Sequence, residues 1–194
     1  MIRVAIVDDH HAVRLGLTSA LKSEPGLVPV GVAAGAAELE PLLYRSRPDV
    51  VLLDHSLPDG DGLTLCHGIK GRPPAPAVLV YSAFADASMT VPAIVAGADG
   101  VLDKGLPARE LFEAIRLVHA GEAAFPPVTP EHLRVAASAL QVEDLPILGM
   151  LMERTPMPEI AAVLQTDTAA IRRRSRRMLA DLLASVPGSV PAAS

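Results

Sequence analysis

The chain has 194 residues, half of them hydrophobic, and carries 17 Lys and Arg against 22 Asp and Glu, a formal net charge of −5. That length accommodates a core of about 120 residues plus a smaller module, while the acidic balance excludes a protein that coats nucleic acid indiscriminately. The lone Cys66 excludes an internal disulfide and suits a reducing compartment, and no stretch approaches the roughly 20 apolar residues of a membrane span, so a soluble, cytoplasmic protein is expected.

The first apolar run, Ile2 to Val7, is short, β-branched and followed directly by Asp8 and Asp9. Similar runs follow at Val28 to Val32, Val50 to Leu53 and Val78 to Tyr81, with a weaker fifth at Val101 and Leu102. Continuous rather than alternating apolarity predicts strands buried on both faces. Helical spacing fills the intervals: Ala12 to Leu21, Glu38 to Tyr44, Leu63 to Ile69, Ser88 to Ala96, and Pro107 to His119. Pro107 is expected at the first helical position and Gly121 just past the end, bracketing the stripe Leu111, Phe112, Ile115 and Val118. Pro92 predicts that the fourth helix is short, kinked or late-starting. Five strand-helix units imply an open, five-stranded parallel sheet with helices on both faces, an α/β domain over 1–120.

From 121 to 139 strand signals stop, Pro126, Pro127 and Pro130 appear, and an alanine-rich stretch predicts a partly helical linker. Every later apolar segment has helical spacing: Asp144 to Met152, Pro158 to Leu164, and Thr168 to about Leu183 behind the N-cap candidate Asp167. This predicts a small all-α domain over 140–185. Arg172, Arg173, Arg174, Arg176 and Arg177 crowd its last helix, whose apolar stripe is Ile171, Met178, Leu179 and Leu182. The stripe turns most of the arginines outward and puts Arg174 near the seam. Pro187, Gly188 and Pro191 predict a disordered tail over 186–194.

In an open α/β sheet, ligands sit outside the carboxyl ends of the strands, where this sequence places Asp8 and Asp9, Asp54, Ser82 and Lys104. Carboxylates converging on one crevice repel one another unless a hard cation lies between them, and Mg²⁺ suits such oxygen ligands. With the cation held by two of them, the third carboxylate is free to attack phosphorus, and the ammonium and hydroxyl are suited to phosphoryl oxygens. The competing reading makes Asp8 and Asp9 helix caps and Lys104 a surface partner of Asp99 or Asp103. His10, His11, His55, His67, His119 and His132 have no zinc-site spacing and are expected to be solvated or packed.

Asp8-Asp9, then Asp54 with Pro58-Asp59-Gly60-Asp61-Gly62, then Ser82-Ala83, then Gly97 to Lys104 resembles the receiver domain of two-component response regulators. The resemblance covers about 1–120 and implies a flavodoxin-like (βα)5 fold. It implies that Asp54 accepts the phosphoryl group and that Asp9, Asp54 and the Ser56 carbonyl ligate Mg²⁺ with help from Asp8. Ser82 and Lys104 would hold the phosphate. The family usually has Tyr or Phe at the switch position three residues before the lysine; here it is Val101, which has no such rotamer to swing. The fourth helix, fifth strand and fifth helix form the family's phosphorylation-responsive surface.

Leu140 to Leu182 resembles, more weakly, the helix-turn-helix of the NarL/FixJ/LuxR-type regulators, with Leu140, Ile147, Leu148, Leu151, Glu159-Ile160-Ala161, Leu164 and Ile171-Arg172 on pattern positions. Gln141, Glu143 and Asp144 depart from that pattern, Pro146 interrupts the first turn, and Arg154 replaces a turn glycine. No short dimer-supporting helix follows Leu183. The two resemblances together imply a non-enzymatic transcription regulator, phosphorylated by a sensor histidine kinase, forming a homodimer and binding promoter DNA through the five arginines. Two alternatives stay open: a helical domain that binds protein instead of DNA, and a regulator that no longer needs phosphate.

Overall fold

The computed structural model describes residues 1–83, 85 and 87–185. The expected tail over 186–194 lies outside the described residues. In chain order the elements are β1 (Ile2–Val7), α1 (His11–Ser23), β2 (Leu27–Ala33), α2 (Ala36–Ser46), β3 (Val50–Asp54), a two-stranded hairpin of β4 (Ser56–Leu57) and β5 (Gly60–Asp61), α3 (Gly62–Lys70), β6 (Ala77–Ser82), α4 (Ala87–Ala96), β7 (Gly100–Asp103) and α5 (Ala108–His119). All five expected strands form one parallel sheet in the order β2-β1-β3-β6-β7. Pro29 sits in the edge strand β2, where a missing backbone donor is tolerated.

Strand side chains alternate between two apolar layers, which is why charged positions are confined to the strand ends. Val4 and Ile6 of β1 point with Leu52 and Leu79 into the layer under α1 and α5, where Leu17, Leu21, Leu111, Ile115 and Val118 are buried. Ala5 and Val7 point the other way with Leu53 and Val80, towards Leu39, Leu42, Leu63, Cys66 and Val91 of α2, α3 and α4. Burial pushes the Cys66 thiol pKa up, so it is an inert core group.

The prolines behave differently from their expected roles at two helices. Pro107 is the N-cap of α5 rather than its first helical residue, with its carbonyl accepting from the Glu110 N–H at 2.9 Å, and Gly121 follows at φ +84°. Pro92 lies inside α4, which continues through it to Ala96, so the proline removes one donor without ending the helix.

After residue 124 the chain forms α6 (Pro130–Ser138), a 3₁₀ turn (Val142–Asp144), α7 (Leu145–Met152), α8 (Met157–Val163) and α9 (Thr168–Ser185). Pro146 does not disrupt α7: it occupies the first turn, where no intrahelical donor is needed, and the 3₁₀ turn leads into it. Pro158 does the same for α8. Arg154, in the place of a glycine, adopts φ +60°, and its guanidinium lies 3.6 Å from Asp99 beside β7. An ion pair thus accompanies the backbone conformation that glycine would take without strain.

These helices share the core of the sheet's α3–α4 side, with Ile147, Leu151, Ile160, Ile171, Met178 and Leu182 continuous with Val91 and Val95. The cause is legible in α4, Ala-Ser-Met-Thr-Val-Pro-Ala-Ile-Val-Ala, which has no charged residue and packs against α3, α6, α7 and α9. A helix apolar on every side is stable only when covered on both. No helix among the described residues is long and apolar enough to cross a membrane.

Candidate functional site: an acidic pocket and an arginine helix

The carboxyl ends of β1, β3, β6 and β7 bring Asp8, Asp9, Asp54, Ser82 and Lys104 together, as the sequence predicts. Asp8 and Asp54 are 1% and 4% exposed, whereas Asp9 is at the surface. Carboxylate oxygens of all three, with a ring nitrogen of His10, lie within 4.8 Å of one another. Lys104 Nζ donates to Asp8 Oδ2 at 2.6 Å and to Asp54 Oδ2 at 2.7 Å. Its competing reading as a surface partner of Asp99 or Asp103 fails, because its ammonium is directed into the pocket at Asp8 and Asp54. Burial disfavours the Lys104 ammonium, but its hydrogen bonds to Asp54 and Asp8 and their charges outweigh this and raise its pKa.

One ammonium against three carboxylates leaves the pocket with excess negative charge, and two of those carboxylates are withdrawn from water. That donor set fits a small divalent cation with oxygen ligands. Backbone donors orient the carboxylates: the His10 N–H bonds Asp8 Oδ1 at 2.8 Å, and the Ser56 N–H bonds Asp54 Oδ1 at 3.2 Å. His10, not among the expected site residues, has Nδ1 2.5 Å from Asp9 Oδ1. Its place directly after Asp8-Asp9 was the available signal.

The loop after Asp54 is shaped by two acids and a glycine. Asp61 caps α3, accepting from the Thr64 N–H at 2.7 Å, and Asp59 reaches α2, accepting from the Ala36 and Ala37 N–H groups at 2.7 and 3.0 Å. These bonds hold the Asp59 carboxyl below its ordinary pKa. A Cβ on Gly62 would press on the Asp54 carbonyl and lie 2.8 Å from His55 Cα. Gly62→Ala is therefore expected to displace the segment carrying Asp54 and to cost about 1–3 kcal/mol, measured by urea unfolding.

Val101 is buried on β7, paired with Val80. The aromatic near the lysine comes from β6 instead: the Tyr81 ring centroid is 5.9 Å from Lys104 Nζ, and its hydroxyl is 3.4 Å from the Lys104 carbonyl. Ser82, buried at the end of β6, accepts the Lys104 N–H through its carbonyl at 2.8 Å, tying the two residues together.

The five arginines do not share one outward face. Arg174 Nε and Arg177 Nη2 bond the two oxygens of Asp144 at 2.7 and 2.8 Å, and Arg174 also reaches the Glu143 carbonyl. Asp144 is fully buried, and a buried carboxylate needs such partners. Arg172 donates to the Gly71 carbonyl at the end of α3. Arg173 and Arg176 are exposed and have no hydrogen-bond or ion-pair partner among the described residues. None of the five is buried and Arg173, Arg176 and Arg177 are exposed, so most of the arginines turn outward as expected, with Arg174 at the seam. What the pattern did not show is that α9 lies against α3 and α4 and that Arg172, Arg174 and Arg177 are engaged within the protein.

His67 on α3 is 8% exposed beneath this seam. Burial, then the charges of Arg172 and Arg176, lower its pKa below 6.5. The docked state therefore favours neutral imidazole. The stabilisation is present above the ordinary value and is lost as pH falls below it. Acidification from about pH 7.5 to about pH 5.5 is expected to loosen α9 from α3, seen as lower hydrogen-exchange protection factors in α9, each taken against the intrinsic rate at its own pH, while those of the sheet are unchanged.

Residues 4–116 match the response regulator receiver domain family. The chain is 33% identical over 192 residues to the DNA-binding transcriptional activator DevR/DosR of Mycobacterium tuberculosis, covering 94% of this chain and 88% of that one. A LuxR-family two-component response regulator from Aurantimonas superimposes with a TM-score of 0.61 at 30% identity, over 69% of this chain and 94% of that chain. RcsB of Salmonella enterica serovar Typhimurium, bound to a promoter, shares the fold with a TM-score of 0.62 at 22% identity, over 95% of this chain and 97% of that one. A receiver match over more than half the chain, with a relative aligned along nearly all of it, makes this protein a member of the response regulator family, with LuxR-type regulators among its relatives.

Proposed function

We propose that this response regulator is phosphorylated on Asp54 and controls transcription by binding promoter DNA, with residues 1–120 as the phospho-acceptor domain, 121–139 as the linker and 140–185 as the helix-turn-helix domain. The observation that carries it is the pocket in which Lys104 Nζ lies 2.7 Å from Asp54, beside Asp8 and Asp9. An Asp54 oxygen attacks phosphorus of a phosphohistidine on a partner kinase; the O–P bond forms as the N–P bond breaks, and the imidazole leaves. Asp9, Asp54 and the Ser56 carbonyl would hold Mg²⁺, with Asp8 behind them. When bound, the cation neutralises charge on the transferring phosphoryl group. Lys104 then exchanges its bond to Asp54 for one to a phosphoryl oxygen, and the Ser82 hydroxyl takes another.

The output helix is α9. Its docking on α3 and α4 supports a closed resting state, because Arg172 cannot serve both Gly71 and a DNA phosphate. Thr90 on α4 and Ser175 on α9 are fully buried with no partner for either hydroxyl among the described residues, which weakens that helix pair. Phosphorylation acts on the α4 side through the linked Ser82 and Lys104, without an aromatic at Val101, and releases α9 for DNA and for pairing with a second copy. The test is acetyl phosphate labelling with Mg²⁺ followed by binding to DNA from the protein's own regulatory region. Labelling and phosphorylation-enhanced DNA binding are expected. Binding without labelling would favour the phosphate-independent regulator, and labelling without binding the protein-interaction module.

A further inference from the structure

The seam between α3 and α9 forms a cavity of about 610 Å³ that is open to solvent. Its charged wall is Arg72 from the segment after α3 with Arg172, Arg173 and Arg176 from one side of α9, and the buried, neutral His67 lies beneath them. No carboxylate among the described residues lines it. Glu40 offsets Arg72 outside the cavity, and Asp167 caps α9 through the Ala170 N–H at 2.7 Å, leaving Arg172, Arg173 and Arg176 without a carboxylate partner among the described residues. Like charges gathered on a concave wall raise each other's free energy, and a multivalent anion relieves that repulsion better than water does. Guanidinium groups present paired donors that match phosphate oxygens. The volume lies within the range of small-molecule sites and exceeds what one phosphate fills.

We propose that this cavity binds a small phosphate-bearing anion of nucleotide size, which bridges Arg72 of the receiver domain to Arg173 and Arg176 of α9 and holds the two together. The bridging consequence rests on the reading of α9 as the DNA-binding helix; the site itself does not. A ligand that contacts both sides of the seam stabilises the closed state, so it opposes DNA binding by occupying Arg172, Arg173 and Arg176. The acidic pocket at Asp54 is a separate place, and Lys104 marks it.

The full-length protein without Mg²⁺ is titrated calorimetrically with ATP, pyrophosphate and inorganic phosphate. Saturable ATP binding is expected, weakened about tenfold or more by Arg72→Ala and by Arg176→Ala, each of which removes a charge-assisted contact, and unchanged by Lys104→Ala. Arg72 is exposed, so its loss does not threaten the fold. Tighter binding of ATP than of pyrophosphate assigns the remaining volume to a nucleoside; equal binding assigns the site to phosphate alone. No saturable binding of any probe, binding indifferent to both arginines, or binding lost in Lys104→Ala would overturn the proposal. In a second arm, ATP is expected to weaken DNA binding by the wild type and not by Arg72→Ala, whose DNA affinity without ATP is unchanged. ATP binding with no effect on DNA affinity overturns the bridge. If the wild type binds ATP but never DNA, the DNA reading fails and the site stands.

Discussion

Asp54→Asn is expected to abolish phosphoryl uptake from acetyl phosphate in the presence of Mg²⁺ while the fold persists. Asparagine has nearly the shape of aspartate, so the buried strand end keeps its packing, and the side-chain oxygen still accepts from the Ser56 N–H. What disappears is the charge that makes that oxygen a nucleophile. Lys104 loses one partner but keeps Asp8 at 2.6 Å, so no buried charge is stranded. Mass spectrometry of the intact protein reads the phosphoryl adduct directly, and circular dichroism checks the fold. Undiminished labelling of the variant would move the acceptor elsewhere, with exposed Asp9 the next carboxylate to replace.

The receiver half was legible in the sequence because its physics is local. Each strand is an apolar run wide enough to be buried on both faces, and the polar residue after each run has only the sheet's carboxyl edge on which to emerge. Asp8, Asp54, Ser82 and Lys104 therefore came out in place, and helix limits differed by only a few residues. The C-terminal helices were equally legible as helices, but the partners of their charged groups were not. The 3.6-residue period turns most arginines of α9 away from its apolar stripe and is silent on what else is there. Asp144, 30 positions before Arg174 and 33 before Arg177, is fully buried beneath both. No short-range pattern announces such a pairing. The one advance sign of docking was α4, whose lack of charge demands cover on its outer side.

Alanine at Arg172, Arg173 and Arg176 together is expected to weaken binding to promoter DNA and to flatten its salt dependence, each lost phosphate contact lowering the logarithmic slope by about 0.9. Alanine is a strong helix former, and none of the three is buried, so α9 keeps its fold. Affinity alone is a poor readout, because losing the Arg172 bond to the Gly71 carbonyl also loosens docking on α3 and makes α9 easier to expose. Those effects oppose each other in the dissociation constant but not in the salt slope, which counts contacts made in the complex. Arg174→Ala with Arg177→Ala should behave differently: it strands the Asp144 carboxylate at 0% exposure, costing about 3–5 kcal/mol of stability in urea unfolding. If the triple variant kept the wild-type slope, the arginines on the α3 side of α9 would not be phosphate contacts. If the wild type, phosphorylated or not, bound DNA with no salt dependence at all, those three arginines would have to act on a protein surface, and the helical domain would be an interaction module.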